Sequence, residues 1–223
     1  MLLNAFTMKG YDKMNPETLT LYAITDRSWL QGCSLASDVE QAILGGATII
    51  QIREKNISDD EYIKRASEIL PICNKYNIPL IINDKVSVAK ALGCGVHLGA
   101  SDGDIKTARQ ILGENAIIGA TAKTIETARL AEAAGADYIG SGAVFGSETK
   151  TDAKPMNLDL FSQICKCVNI PVVAIGGINQ NNAAKLKNTG LAGICAVSGI
   201  FAQQDIKKAA QNIYKIAQEV KGK

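Results

Sequence analysis

The feature that most constrains this chain is an alternation running almost end to end: short, β-rich apolar runs take turns with longer amphipathic segments. The runs fall at 19–25, 47–52, 78–82, 95–98, 116–120, 136–140, 171–175 and 192–197. The amphipathic segments fall at 35–44, 59–76, 86–92, 105–112, 125–134, 158–168, 181–188 and 206–220. Eight strands and eight helices in strict alternation are therefore predicted. Local signals agree. Ser58 followed three residues later by Glu61 reads as a capping box opening the helix at 59–76. Pro79 lies near the start of its strand, where a missing N–H is tolerated. Runs such as VVAI and TIIQI are apolar on both faces, the habit of parallel strands covered by helices. Right-handed strand–helix–strand units build one parallel sheet. Eight of them in about 200 residues fit a closed (β/α)8 TIM barrel near its lower size limit, with an open doubly wound sheet as the alternative. The 223 residues, 47% of them apolar, can bury one sizeable core. No linker or composition shift divides the chain, so 18–223 is expected to form one barrel domain behind an N-terminal extension at 1–17.

Charge and composition narrow the partners. Lys plus Arg number 24 and Asp plus Glu 22, and a net charge of +2 leaves no broad basic footprint for nucleic acid or membrane surfaces. Aromatic residues are 5% of the chain, too few for a base-stacking platform. No apolar run approaches the ~20 residues that cross a bilayer. Leu2 and Leu3 are followed at once by Asn4, too short a stretch for a secretion signal. A cytoplasmic location is expected. The six cysteines (Cys33, Cys73, Cys94, Cys165, Cys167 and Cys195) contain no C-x-x-C pair, and His97 is the sole histidine. They read as reduced, mostly buried thiols rather than a zinc site. Small-molecule substrates are the expected partners, and a homo-oligomer is compatible with the sequence.

In a closed barrel the loops after the strands build the active site, and unusual polar residues gather at those ends. After the second run come Gln51, Ile52, Arg53, Glu54 and Lys55. Strand alternation puts Gln51, Arg53 and Lys55 on one face, where an amide and two cations suit an anion. The third run ends in Asn83, Asp84 and Lys85, and the fourth is followed by Asp102 and Asp104. Asp104 suits a helix cap, which leaves Asp102 to face Asp84 across neighbouring loops. Two such carboxylates suit Mg²⁺, which takes few protein oxygens; an acid/base pair is the other reading. His97, on a very short strand, reads as a hydrogen-bonded structural residue rather than a base. Thr121 offers a hydroxyl after the fifth run. The loop at 142–152 combines glycines, hydroxyls and Lys150, a composition that binds phosphate or closes as a lid. Gly176, Gly177, Ser198 and Gly199 follow the last two runs, the usual phosphate site of such barrels.

Seven segments in order then resemble the thiamine-phosphate synthase family: QIREK at 51–55, IND at 82–84, VHLGASD at 96–102, IIGATA at 117–122, ADYIGSGAVFGSETKTDA at 136–153, VAIGGI at 173–178 and AVSGIF at 196–201. The resemblance implies a Mg²⁺-dependent transferase on a (β/α)8 barrel. It would join hydroxymethylpyrimidine diphosphate to hydroxyethylthiazole phosphate, or to a carboxylated thiazole with loss of CO₂. Carried over by residue, Asp84 and Asp102 would bind the metal, while Arg53, Lys55, Asn83, Thr121 and Lys150 would hold the diphosphate. Arg53, Lys55 and Lys150 would be the catalytic cations, and Gln51 would face the pyrimidine. Ser147, Thr149, Gly177, Val197 and Ser198 would line the thiazole phosphate site. Ile52, Glu54 and Glu148 count with their neighbours as substrate-binding. The implied reaction is dissociative: diphosphate leaves and the thiazole nitrogen traps a pyrimidine-stabilised cation. This chain departs from the family at Thr121 (commonly serine), Lys123 (commonly histidine) and Ser147 (commonly threonine). A thiazole tautomerase of the same superfamily, and a phosphate-ligand binding module without catalysis, are the alternatives.

Overall fold

The computed structural model describes residues 14–30, 34–146 and 155–221. Its eight strands are β1 Leu21–Ile24, β2 Ile49–Ile52, β3 Leu80–Asn83, β4 Gly95–Leu98, β5 Ile118–Thr121, β6 Tyr138–Gly142, β7 Val172–Ile175 and β8 Gly193–Ala196. All pair in parallel with their sequence neighbours, and β8 closes on β1 through Tyr22 opposite Cys195. The closed barrel is therefore formed and the open sheet is excluded. Eight helices are described: α1 Leu35–Leu44, α2 Asp59–Lys75, α3 Val86–Leu92, α4 Ile105–Leu112, α5 Ile125–Ala133, α6 Leu158–Cys167, α7 Ser198–Phe201 and α8 Ile206–Val220.

Side chains alternate between two cores because a strand turns successive residues to opposite faces. Tyr22, Ile24, Ile49, Ile81, Ile117, Tyr138, Val173 and Cys195 fill the barrel interior. Their neighbours, such as Ala23, Ile50, Ile52, Ile82 and Ile139, pack outward with the helices. The interior accommodates Tyr138 because β5 carries Gly119, where a Cβ would lie 2.0 Å from the Tyr138 ring. Tyr22 and Tyr138 meet edge to face, with centroids 5.7 Å apart.

Two elements differ from the sequence reading. The helix expected at 181–188 is only a 3₁₀ turn, Ala183–Leu186. Asn182 ties up this stretch by accepting from the Asn179 N–H and donating to the Gly177 carbonyl, and such side-chain bonds compete with helix. The short α7 directly after β8 was not anticipated. The cap of α2 also forms only halfway: Ser58 Oγ accepts from the Glu61 N–H, while the Glu61 carboxylate bonds Arg65 instead. Asp104 caps α4 as expected, accepting from the Thr107 N–H at 2.8 Å. At the N-terminal side, a 3₁₀ turn at Pro16–Leu19 brings Leu19 into the barrel interior. Cys73, Cys94, Cys165, Cys167 and Cys195 are free thiols. Cys33 lies outside the described residues.

Candidate active site

The C-terminal ends of the strands open into one cavity, and the same two-residue period decides what faces it. On β2 and the loop beyond, Gln51, Arg53 and Lys55 line the cavity. Ile52 and Glu54, expected among the binding residues, do not. Ile52 is fully buried in the layer between barrel and helices. Glu54 accepts from Arg27 Nε at 2.5 Å and from Arg65 Nη1 at 2.8 Å, behind the cavity wall. Both follow from parity: when 51, 53 and 55 point in, 52 and 54 point out. Those ion pairs brace the β2 end, and Thr25 Oγ1 accepts the Arg53 N–H at 3.1 Å.

From β3 come Asn83 and Asp84. Asp84 has φ 64°, a left-handed conformation that an Asp tolerates better than most residues. Tyr62 of α2 braces this end, donating to the Ile52 carbonyl at 2.6 Å and accepting the Asn83 N–H at 3.1 Å. Asn83 Nδ2 is buried, makes no hydrogen bond of normal geometry although its side chain helps to lower the neighbouring Asp84, and belongs to a cavity-lining side chain. An amide donor held in this way costs free energy until a well-placed acceptor arrives.

Asp102 approaches Asp84 from the turn after β4. Gly99 makes room for it: a Cβ there would lie 2.2 Å from Asp102 Oδ2. Burial, and then the hydrogen bond and charge of Asp84, push the Asp102 carboxyl up. Burial works to raise Asp84 too, but hydrogen bonds from Lys55 and Asp102 outweigh it and hold Asp84 below the usual carboxylate range. Of the two carboxyls Asp102 is thus the one more readily protonated, while Lys55 Nζ ion-pairs with Asp84. Among the described residues no group of three or more His, Cys, Asp or Glu side chains is placed to hold a metal. A cation here would rest on these two carboxylates.

Around the rest of the rim stand Thr121, Lys123, Gly177, Val197 and Ser198, all lining the same cavity. The cavity walls also include Ile24, Ile175 and Ile178, which give it an apolar side. Ser147, Glu148, Thr149 and Lys150 lie outside the described residues. His97 lines the cavity and is hydrogen-bonded through both ring nitrogens, to Tyr138 and to Thr121. The Tyr22–Tyr138 pair beneath it was missed from the sequence. Its only signal there was two tyrosines at inward-facing positions of strands expected to be apolar.

The thiamine monophosphate synthase family matches this chain over residues 21–200. A thiamine-phosphate synthase of Clostridium tetani is 47% identical over 195 residues, covering 87% of this chain and 93% of that one. Another, from Fusobacterium nucleatum, is 46% identical over 203 residues, covering 91% and 98%. A thiamine phosphate pyrophosphorylase from Pyrococcus furiosus has the same fold, with TM-score 0.85, 38% identity and coverage of 93% of this chain and 99% of that one.

Proposed function

The chain belongs to the thiamine monophosphate synthase family, and on that premise we propose that it is a transferase making thiamine phosphate. The substrates would be hydroxymethylpyrimidine diphosphate and hydroxyethylthiazole phosphate, the latter with or without its carboxylate, and diphosphate is released. One observation carries this reading: Arg53, Lys55, Lys123 and the buried Asn83 amide gather at one barrel mouth around a carboxylate pair. That set suits a diphosphate and its counter-ion. A dissociative substitution needs no nucleophilic relay: charge stabilisation and positioning suffice.

Asp84 and Asp102 fit Mg²⁺. Both are hard oxygen donors, and their mutual repulsion, which raises the Asp102 carboxyl, supports a cation between them. Bound there, the metal would supply electrostatic neutralisation of the departing diphosphate. Arg53 and Lys55 would hold the diphosphate oxygens as fixed cations, and Asn83 Nδ2 would donate to one of them. Thr121 would donate its hydroxyl to the same group. Lys150 would hold the diphosphate, Ser147 and Thr149 would contact the thiazole phosphate, and Glu148 would count with them as substrate-binding. Gln51 would contact the pyrimidine. Gly177, Val197 and Ser198 would hold the thiazole phosphate at the loops after β7 and β8. Holding both substrates in one dry cavity converts the second step into an intramolecular one. No described helix is long and apolar enough to cross a membrane; action in the cytoplasm belongs to the same proposal.

The test is direct. Purified protein, both substrates and Mg²⁺ should yield thiamine phosphate and diphosphate, and a chelator should stop the reaction. Well-folded protein that forms no product refutes the assignment. Conversion of the thiazole alone, with neither pyrimidine substrate nor metal, would identify an isomerase instead.

A further inference from the structure

A chain of hydrogen bonds crosses the barrel interior beneath the cavity. Gln51 Nε2 donates to Tyr22 Oη at 2.7 Å, and Tyr22 Oη lies 2.7 Å from Tyr138 Oη. Tyr138 Oη lies 3.0 Å from His97 Nδ1, and His97 Nε2 lies 3.0 Å from Thr121 Oγ1. Gln51, Tyr22 and Tyr138 are each at most 2% exposed. Burial raises both phenols far above their ordinary range, so each keeps its proton.

The direction of the chain follows from its first member. An amide nitrogen can only donate, so Tyr22 accepts from Gln51 and has one proton to place. If Tyr138 also donated to Tyr22, the Tyr22 proton would be left without an acceptor in a buried site, a costly arrangement. Tyr22 therefore donates to Tyr138, and Tyr138 donates to His97 Nδ1. His97 is then the Nε2–H tautomer and donates to Thr121 Oγ1. With that oxygen accepting from below, the Thr121 hydroxyl proton turns towards the cavity that the residue lines. The branched Cβ of threonine limits χ1 and keeps the oxygen in place.

We propose that His97 is a positioning residue: the relay Gln51–Tyr22–Tyr138–His97 fixes its tautomer and so presents Thr121 to the anionic substrate as a hydrogen-bond donor. The kinetic part of this inference rests on the synthase reaction proposed above; the tautomer does not.

His97 is the only histidine of the chain, so a long-range ¹H–¹⁵N spectrum of the ¹⁵N-labelled full chain reads it without ambiguity. The expected spectrum has a pyridine-type Nδ1 and a pyrrole-type Nε2 in the ligand-free protein. A protonated Nδ1 would mean the reverse polarity, with Gln51 accepting from Tyr22, and would overturn the relay even in a fully active enzyme. In turnover, Tyr138→Phe should lower kcat/KM roughly tenfold, the effect of one lost hydrogen bond. Thr121→Ser should keep most activity and Thr121→Val should fall with Tyr138→Phe. Because the two act through one hydroxyl, the double variant should be no worse than Thr121→Val. Additive losses would refute the coupling. If Tyr138→Phe does not fold, the wild-type spectrum still decides.

Discussion

Glu54→Ala separates the two faces of β2 by experiment. The Glu54 side chain is 5% exposed and joins Arg27 and Arg65, whose side chains are 30% and 28% exposed. Removing one partner of a fully buried ion pair costs about 3–5 kcal/mol because a charge is stranded. Here both arginine side chains are partly exposed and can rehydrate, and Arg65 keeps its ion pair with Glu61, which lowers the expected cost to about 1–3 kcal/mol. For a domain of this size each kcal/mol shifts Tm by about 2–4 °C, so a fall of roughly 4–8 °C is expected for a mid-range loss of about 2 kcal/mol. Calorimetry on the ligand-free protein gives Tm, and steady-state kinetics well below Tm gives the activity, with kcat/KM expected within about threefold of wild type. Arg53→Ala, one residue earlier on the inward face, should do the opposite, leaving Tm nearly unchanged while kcat/KM collapses. A Glu54→Ala protein with wild-type Tm and a greatly raised KM would show that Glu54 touches substrate and that the parity assignment is wrong.

Gly119→Ala should destabilise the protein by about 1–3 kcal/mol in urea denaturation, since the new methyl would meet the Tyr138 ring and the interior is already filled; an unchanged midpoint would refute that packing. Asp102 has a raised carboxyl, so its contribution to stability is fully present below the unfolded value of about 3.9 and lost as pH rises through its folded value. Asp102→Asn should therefore stabilise the ligand-free protein at neutral pH, with the gain vanishing near pH 4 and below, and should abolish Mg²⁺-dependent turnover. Destabilisation at neutral pH would contradict the raised Asp102 carboxyl. Burial pushes the Cys73 and Cys94 thiols up to about 12, so a disulfide reagent at neutral pH should label them only in denaturant, as mass mapping would report.

The sequence by itself determined a parallel strand–helix alternation that favours a barrel, because eight apolar strands buried on both faces and eight amphipathic segments leave few ways to hide that much surface, and the pairing of β8 with β1 closed it. It also determined which polar residues cluster, since Arg53, Lys55, Asn83, Asp84, Asp102, Thr121 and Ser198 all fall at strand ends, and closure brings every strand end to one mouth. Where local bonds compete with the pattern it was less informative. The asparagines at 179–182 reduce an expected helix to a turn, and nothing in the period of the chain announces α7. Only the tertiary structure decided the rest. Strand alternation already put 51, 53 and 55 on one face, but only the packed structure showed Ile52 in the outer core and Glu54 held away from the cavity by Arg27 and Arg65. The same packing aligned Gln51, Tyr22, Tyr138, His97 and Thr121, which come from five different strands. Such a line exists only once the register of neighbouring strands is set, because hydrogen bonds read distances of a few ångströms that spacing along a chain does not encode.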